Sequence, residues 1–276
     1  MPLTLVDDVQ AQLDTDRFGQ AMRGFETVGS TNTVAAEWAR EGARDGSVVV
    51  TEYQSEGRGR HGRTWDAQKG TNLMFSVVLR PVLEADRLGL ITVAASVAVA
   101  EAIDAFLTGH EATLKWPNDV LLEGRKTCGM LLESSLSGTQ AAQAQTAQAV
   151  TAEVVVLGVG LNVNQTTFPD ALADTATSLR LTAGRPVPRA PLFARLLRRL
   201  EARYDAVQAR RSSGEAVRDA FHERLATLGQ RATSRVSAAE APITGVVRGI
   251  TDTGALRLDT PDGPRVVHAG DATSRT

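Results

Sequence analysis

Apolar and polar positions change their period several times along this chain. From Phe25 to Ala43 a short apolar stretch yields to the polar cluster Ser30-Thr31-Asn32 and then to a helical pattern. The segment predicts a strand, a turn and a helix that begins at hydroxyl and amide side chains. "SVVVTEY" and "NLMFSVVLR" predict strands. "ADRLGLITVAASVAVAEAIDAFL" predicts a long helix, alanine-rich and buried. "TLKWPNDVLLEG" and "RKTCGMLLESSL" predict neighbouring strands around a turn at Glu123-Gly124, and "EVVVLGVGLNVN" predicts one more. "PLFARLLRRLEARYDAVQAR" predicts an amphipathic helix and Gly214 to Leu228 another, whereas residues 1–20 show only weak helical character. "SGTQAAQAQTAQAVTAE" lacks large apolar residues and predicts a long hairpin loop, mobile and dispensable. After Gly229 the pattern turns to short strands, "ITGVVRGI", "GALRLDT" and "RVVHAG", separated by the turn sequences "TDTG" and "TPDG". The expected fold is α+β: a mixed sheet packed with helices over residues 1–229, then a small SH3-like β barrel over residues 230–276.

Composition narrows the chemistry. At 42% hydrophobic and 22% charged, the 276 residues suit a globular chain with a sizeable core. The formal net charge is only -2, so any strongly basic site is local, and that favours a small anion over a long polyanion. Cys128 has no partner for an internal disulfide, no early run reads as a signal peptide, and Leu88 to Ala100 falls short of a membrane span. The expectation is a soluble, cytoplasmic protein. Of 30 basic side chains only Lys69, Lys115 and Lys126 are lysine, which raises the chance that each serves as a compact point charge.

Four stretches carry candidate chemistry. "EGRGRHGRTW" sets Arg58, Arg60 and Arg63 among three glycines, so forked cations and bare amides can surround a carboxylate or phosphate. If the stretch is extended, Arg58 and Arg60 point to the same side. A disordered surface loop is the alternative, and the strand before it and Trp65 after it favour order. "KWPND" offers an amide and a carboxylate, Asn118 and Asp119, suited to magnesium; it is also good β-turn chemistry. In "RKTCGMLLE" strict alternation puts Lys126, Cys128, Met130 and Leu132 on one face and Thr127, Gly129 and Leu131 on the other. Cys128 reads as a packed hydrophobe, and Lys126 either as a solvated edge residue or as a cation reaching the anion of the arginine loop. In "VVVLGVGLNVN" the core face is Val155, Leu157, Val159, Leu161 and Val163. The other face holds Gly158, Gly160, Asn162 and Asn164, room for a flat ligand or for a closely crossing helix.

These motifs together resemble the biotin protein ligases. "STN", "GRGRHGRTW", "KWPND", "RKTCGMLLE", "GVGLNVN" and "TSL" at Thr177 to Leu179 occur in that family's order and spacing, from about Phe25 to the C-terminus. The resemblance implies a class II synthetase-like catalytic domain that joins biotin to a lysine of a biotin carrier domain through biotinyl-5′-AMP, using ATP and Mg2+. It implies that Arg60 and Lys126 are catalytic, and that Ser30, Thr31, Asn32, Gln54, Arg58, Gly59 and Gly129 bind biotin with them. Arg63, Trp65, Lys115, Asn118 and Asn162 then serve ATP or the adenylate, Trp65 covering the adenine, and Asp119 serves the metal. The partner is a carrier domain of acetyl-CoA carboxylase or a related carboxylase, with no membrane and no DNA; the family makes homodimers through sheet edges, and no residue here decides whether this chain does. His61 stands where the family often has another basic residue, which makes the loop's charge slightly pH-sensitive.

Two rivals stay open at this level. A lipoate or octanoyl ligase shares the fold and the acyl-adenylate logic, and a nucleic-acid-binding protein would use the arginine loop with the β barrel. Bifunctional members of the family carry an N-terminal winged helix, and the roughly 25 residues ahead of the match are too few for one. A monofunctional ligase is therefore expected. Anisotropy titration against the host's biotin-gene promoters at ~150 mM salt should show only weak, sequence-independent binding. Tight, adenylate-enhanced binding contradicts the expectation.

Overall fold

A computed structural model describes residues 3–134, 154–209, 214–235, 241–268 and 271–274. The low-complexity segment, expected as a hairpin loop, lies outside the described residues. Seven strands make the larger sheet: β1 (Met22–Phe25), β2 (Val48–Thr51), β3 (Leu73–Leu79), β4 (Thr113–Lys115), β5 (Asp119–Leu122), β6 (Arg125–Ser134) and β7 (Val155–Leu161). Their order is β1-β2-β3-β7-β6-β5-β4. Only the β1–β2 pair is parallel, so the sheet is mixed.

The sheet's two faces have different fates. One carries Leu73, Phe75, Val77 and Leu79 of β3 with Val155, Leu157, Val159 and Leu161 of β7, all within the main core. Helix α3 (Gly89–Asp104) packs there, apolar around its circumference because α5 (Arg189–Gln208) covers its other side. Helices α1 (Thr4–Gln10) and α6 (Glu215–Arg224) extend that layer against α5, while α4 (Leu179–Ala183) is a short, capped turn after β7. The opposite face is only half covered. Helix α2 (Thr31–Arg40) lays Ala35 and Ala39 on Val49, Val78 and Val156 as a small second core. The rest of that face, beyond the N-terminus of α2, is the cleft described below.

The C-terminal sheet contains β8 (Arg231–Arg235), β9 (Ile243–Ile250), β10 (Leu256–Thr260), β11 (Gly263–Val267) and β12 (Asp271–Ser274). Its order is β11-β10-β9-β8-β12, antiparallel throughout, an SH3-like module. The sequence pattern predicted the middle three; β8 and β12 are short and polar and gave no periodic signal.

Two expectations need correction. "TLKWPNDVLLEG" is not one strand: Trp116 to Asn118 form a turn, and β4 and β5 pair antiparallel across it. The Pro-Asn-Asp turn chemistry outweighs the apolar residues on either side. Strict alternation also fails in β6, where the register against β5 slips between Val120 and Leu121, opposite Thr127. This bulge puts Lys126 on the cleft side with Gly129, while Cys128 and Met130 stay in the core. Burial raises the Cys128 thiol far above its usual pKa, so it stays a neutral packing group.

The two sheets are joined through α6. Leu225 bridges to Leu114 on β4, and His222 Nε2 accepts a 2.8 Å hydrogen bond from Ile250 N on β9. Only a neutral imidazole can accept. Desolvation lowers the His222 pKa most, Arg218 and Arg257 lower it further, and Asp219 opposes them. In the unfolded chain the ring titrates near its ordinary value of about 6.5, whereas the folded ring resists protonation. The stability it contributes is therefore complete above about pH 6.5 and is lost as the pH falls through the lower folded value. Thermal melts from about pH 7 to pH 5 should show a steeper loss for wild type than for His222→Gln, whose amide oxygen still accepts. Equal slopes contradict this.

Candidate functional site

All fifteen candidates named from the sequence line one cleft of about 450 Å³, within the usual range for a small-molecule site. A more open groove of about 580 Å³ under α1 collects none of them. Three structural pieces build the cleft: the N-terminus of α2, the arginine loop, and the bare half-face of β7 and β6.

The N-terminus of α2 is pinned to the sheet by a continuous polar chain. Gln54 Oε1 accepts from Thr31 N at 2.8 Å and from Thr31 Oγ1 at 3.1 Å. Ser76 Oγ lies 2.7 Å from Thr31 Oγ1 and 2.6 Å from Asn32 Oδ1, and its single proton serves one of them at a time. Asn32 Nδ2 then donates to Glu133 Oε2 at 2.7 Å. Ser30, Thr31 and Asn32 are all buried, so each polar atom needs such a partner. Ser76 and Glu133 were missed from sequence. Ser76 had a signal, as the only polar residue in "LMFSVVL", on the face opposite Phe75.

The arginine loop is ordered as a tight hairpin rather than extended. Trp65 N donates to Gly57 O at 2.9 Å and Gly59 N to Arg63 O at 2.7 Å, and a short helical turn over Arg60–Gly62 makes the tip. That turn separates Arg58 from Arg60, which share a side only in an extended segment. Arg58 Nη2 donates to Thr33 Oγ1 at 3.2 Å and lies 3.6 Å from Glu133 Oε2. Arg60 Nη1 reaches across to Asn118 Oδ1 at 3.2 Å. Asn118 is fixed in turn, donating from Nδ2 to Met130 O at 2.7 Å and accepting from Met130 N at 3.1 Å. Lys126 Nζ sits 2.6 Å from Asp119 Oδ1 as a half-buried ion pair, so the residue expected at the metal neutralises the lysine expected at the carboxylate. Among the described residues no group of three His, Cys, Asp or Glu comes together.

The glycine face is filled differently from either sequence alternative. A Cβ on Gly158 would stand 2.3 Å from Asn32 Oδ1, and one on Gly160 would stand 2.5 Å from the Trp65 ring. The start of α2 therefore lies on the first glycine and the Trp65 indole on the second, with Lys126 Nζ 5.6 Å from the indole centroid. Of the two asparagines beyond, Asn164 is structural and exchanges hydrogen bonds with the backbone of Val187. Asn162 donates to Thr177 O at 3.1 Å, but its Oδ1, like Trp65 Nε1, is buried without a hydrogen-bonding partner among the described residues. Phe168, Leu172 and Ala176 close the cleft on that side and carried no sequence signal.

A family model described as the biotin/lipoate A/B protein ligase family matches residues 24–162, and one for the biotin protein ligase C terminal domain matches residues 227–273. The chain belongs to the biotin protein ligase family. A biotin–[acetyl-CoA-carboxylase] ligase of Mycobacterium tuberculosis is 37% identical over 92% of this chain and 90% of its own length. A bifunctional ligase/repressor of Bacillus subtilis is 32% identical over 96% of this chain and 77% of its own. The solved biotin protein ligase of Aquifex aeolicus, in complex with biotin and ATP, superposes with a TM-score of 0.76 at 26% identity, covering 93% and 99% of the two chains. No helix among the described residues is long and apolar enough to cross a membrane.

The shelf formed by Gly158 and Gly160, on which the α2 start and the Trp65 indole lie, makes a direct prediction for this biotin ligase family member. Gly160→Ala drives a methyl into the Trp65 ring, an overpacking of roughly 1–3 kcal/mol. Denaturant unfolding should show that loss, and the tryptophan emission should become more accessible to acrylamide. An alanine variant as stable as wild type, with unchanged quenching, removes the shelf from the account.

Proposed function

We infer that this chain attaches biotin to a specific lysine of a biotin carrier domain, with ATP, through biotinyl-5′-AMP. The observation that supports it most is the gathering of Arg58, Arg60, Arg63, Lys115 and Lys126 around one cleft in front of α2, in a chain related end to end to biotin ligases. Of the rivals, the lipoate reading loses ground because the match to a biotin ligase C-terminal domain covers residues 227–273.

The reaction explains the residue types. A carboxylate oxygen of biotin attacks the α-phosphorus of ATP and pyrophosphate leaves. Then the carrier amine attacks the acyl carbon and AMP leaves. The first step brings two anions together, and fixed cations lower that repulsion more than water does. In this reading Lys126 and Arg60 face the carboxylate and the transferring phosphoryl group, each exchanging a protein partner, Asp119 or Asn118, for ligand. The polar chain from Gln54 to Glu133 offers donors and acceptors for the ureido end of biotin. The free Oδ1 of Asn162 suits an adenine amino group, and the Trp65 indole is available to cover the base. The mixed anhydride hydrolyses easily, so an arginine hairpin closing over it protects it. Magnesium fits as an ion carried by the triphosphate with at most one protein carboxylate, Asp119, and it would offset phosphate charge there. Acetyl-CoA carboxylase or a related carboxylase supplies the carrier domain.

Incubation with ATP, magnesium, labelled biotin and a carrier domain should label that domain, and the same mixture without the carrier should still form the adenylate. Arg60→Ala or Arg58→Ala removes a charge-assisted contact of about 1.5–3 kcal/mol, so affinity for biotin or the adenylate should fall about ten- to a hundredfold. Unlabelled carrier with an intact wild-type fold, or full activity in both variants, refutes the assignment.

A further inference from the structure

The hairpin turn that presents Asn118 and Asp119 also grips the C-terminal module. Trp116, in the middle of "KWPND", is 2% exposed, and its Nε1 donates a 3.0 Å hydrogen bond to Gly254 O, in the turn between β9 and β10. The acceptor is held still. Thr251 N donates to Ala255 O at 2.8 Å and Gly254 N to Thr251 O at 3.1 Å. Thr251 Oγ1 accepts from Ala255 N at 3.1 Å, and a Cβ on Gly89, at the start of α3, would stand 3.2 Å from Thr253 O. A rigid turn of the small module is thus wedged between α3 and the Trp116 indole. Two residues beyond Trp116, Asn118 orients Arg60 and is braced to Met130.

We propose that Trp116 is a positioning residue for adenylation, through which the C-terminal β module sets the place of Asn118 and so of the Arg60 guanidinium. The geometry gives the tryptophan a separate task. It carries no atom into the cleft, and its one polar group is spent on a carbonyl 138 positions away. Withdrawing that donor leaves the Gly254 carbonyl buried without its partner and frees the β4–β5 turn to shift. A shift of about an ångström is enough to misplace a catalytic cation.

The proposal rests on the biotin ligase reading, and its test separates the two. Trp116→Phe keeps an aromatic ring and removes the N–H. An isosteric amino acid at position 116, with sulfur in place of the indole N–H, removes it without changing the packing. Both should lower the single-turnover rate of biotinyl-adenylate formation by about tenfold. Biotin affinity in calorimetry should fall by clearly less than the rate, because the Thr31–Gln54 end is untouched and Arg60 is shifted rather than removed. Hydrogen exchange should speed up together in the Thr251–Ala255 turn and the β4–β5 turn, a readout independent of activity. A wild-type adenylation rate in the isosteric variant overturns the proposal, as does exchange that rises in the module's turn alone, or biotin affinity that falls in step with rate. If wild type itself forms no adenylate, the ligase reading fails, and the exchange measurement still decides the coupling.

Discussion

The site depends on two positions of a strand face, Gly158 and Gly160, that have no side chains. A central strand of a buried sheet normally fills both faces with branched apolar residues, as β7 does on its core side with Val155, Leu157, Val159 and Leu161. At Gly158 and Gly160 the cleft side is backbone alone, which lets Asn32 and the Trp65 indole rest on the sheet. The start of α2 and the root of the arginine hairpin thus share one seat. Losing packing at two central positions weakens the strand; what it leaves is a flat floor that seats the start of α2 and the root of the arginine hairpin.

Around that floor the protein stores cations against its own groups. Lys126 is paired with Asp119, Arg58 lies beside Glu133, and Arg60 is bonded to Asn118. Those partners keep long side chains ordered in a near-neutral molecule and hold the charge at the cleft. Hydroxyls and amides line the α2 end of the cleft with Arg58 beside them, and Arg60 and Lys126 lie near the β4–β5 turn. The C-terminal module reaches the second end through Trp116 and the helical layer through His222, which ties a domain outside the cleft to groups inside it.

Most of this was legible because the chemistry is concentrated in short motifs with unambiguous local physics. Period-two alternation in "VVVLGVGLNVN" separated core from cleft, and the all-round apolar character of α3 marked its burial. What sequence misassigned traces to particular features. The bulge opposite Thr127 reversed the side on which Lys126 emerges, and alternation has no means to foresee a bulge. The turn at Arg60 split Arg58 from Arg60, since glycines mark freedom without saying how it is used. Trp65 lies on the shelf that had been left for a ligand or a helix. Ser76 was recognisable as a lone polar residue in an apolar strand, whereas Glu133 and the Phe168–Ala176 wall become neighbours of the site only through tertiary structure.

The central claim is that the cleft joins biotin's own carboxylate oxygen to the α-phosphorus of ATP before any protein lysine is involved. Biotin labelled with heavy oxygen in its carboxylate follows that bond directly. After one turnover onto a carrier domain, mass spectrometry should find one heavy oxygen in the released AMP and pyrophosphate as the other product. Unlabelled AMP, or ADP and phosphate in its place, would contradict the account.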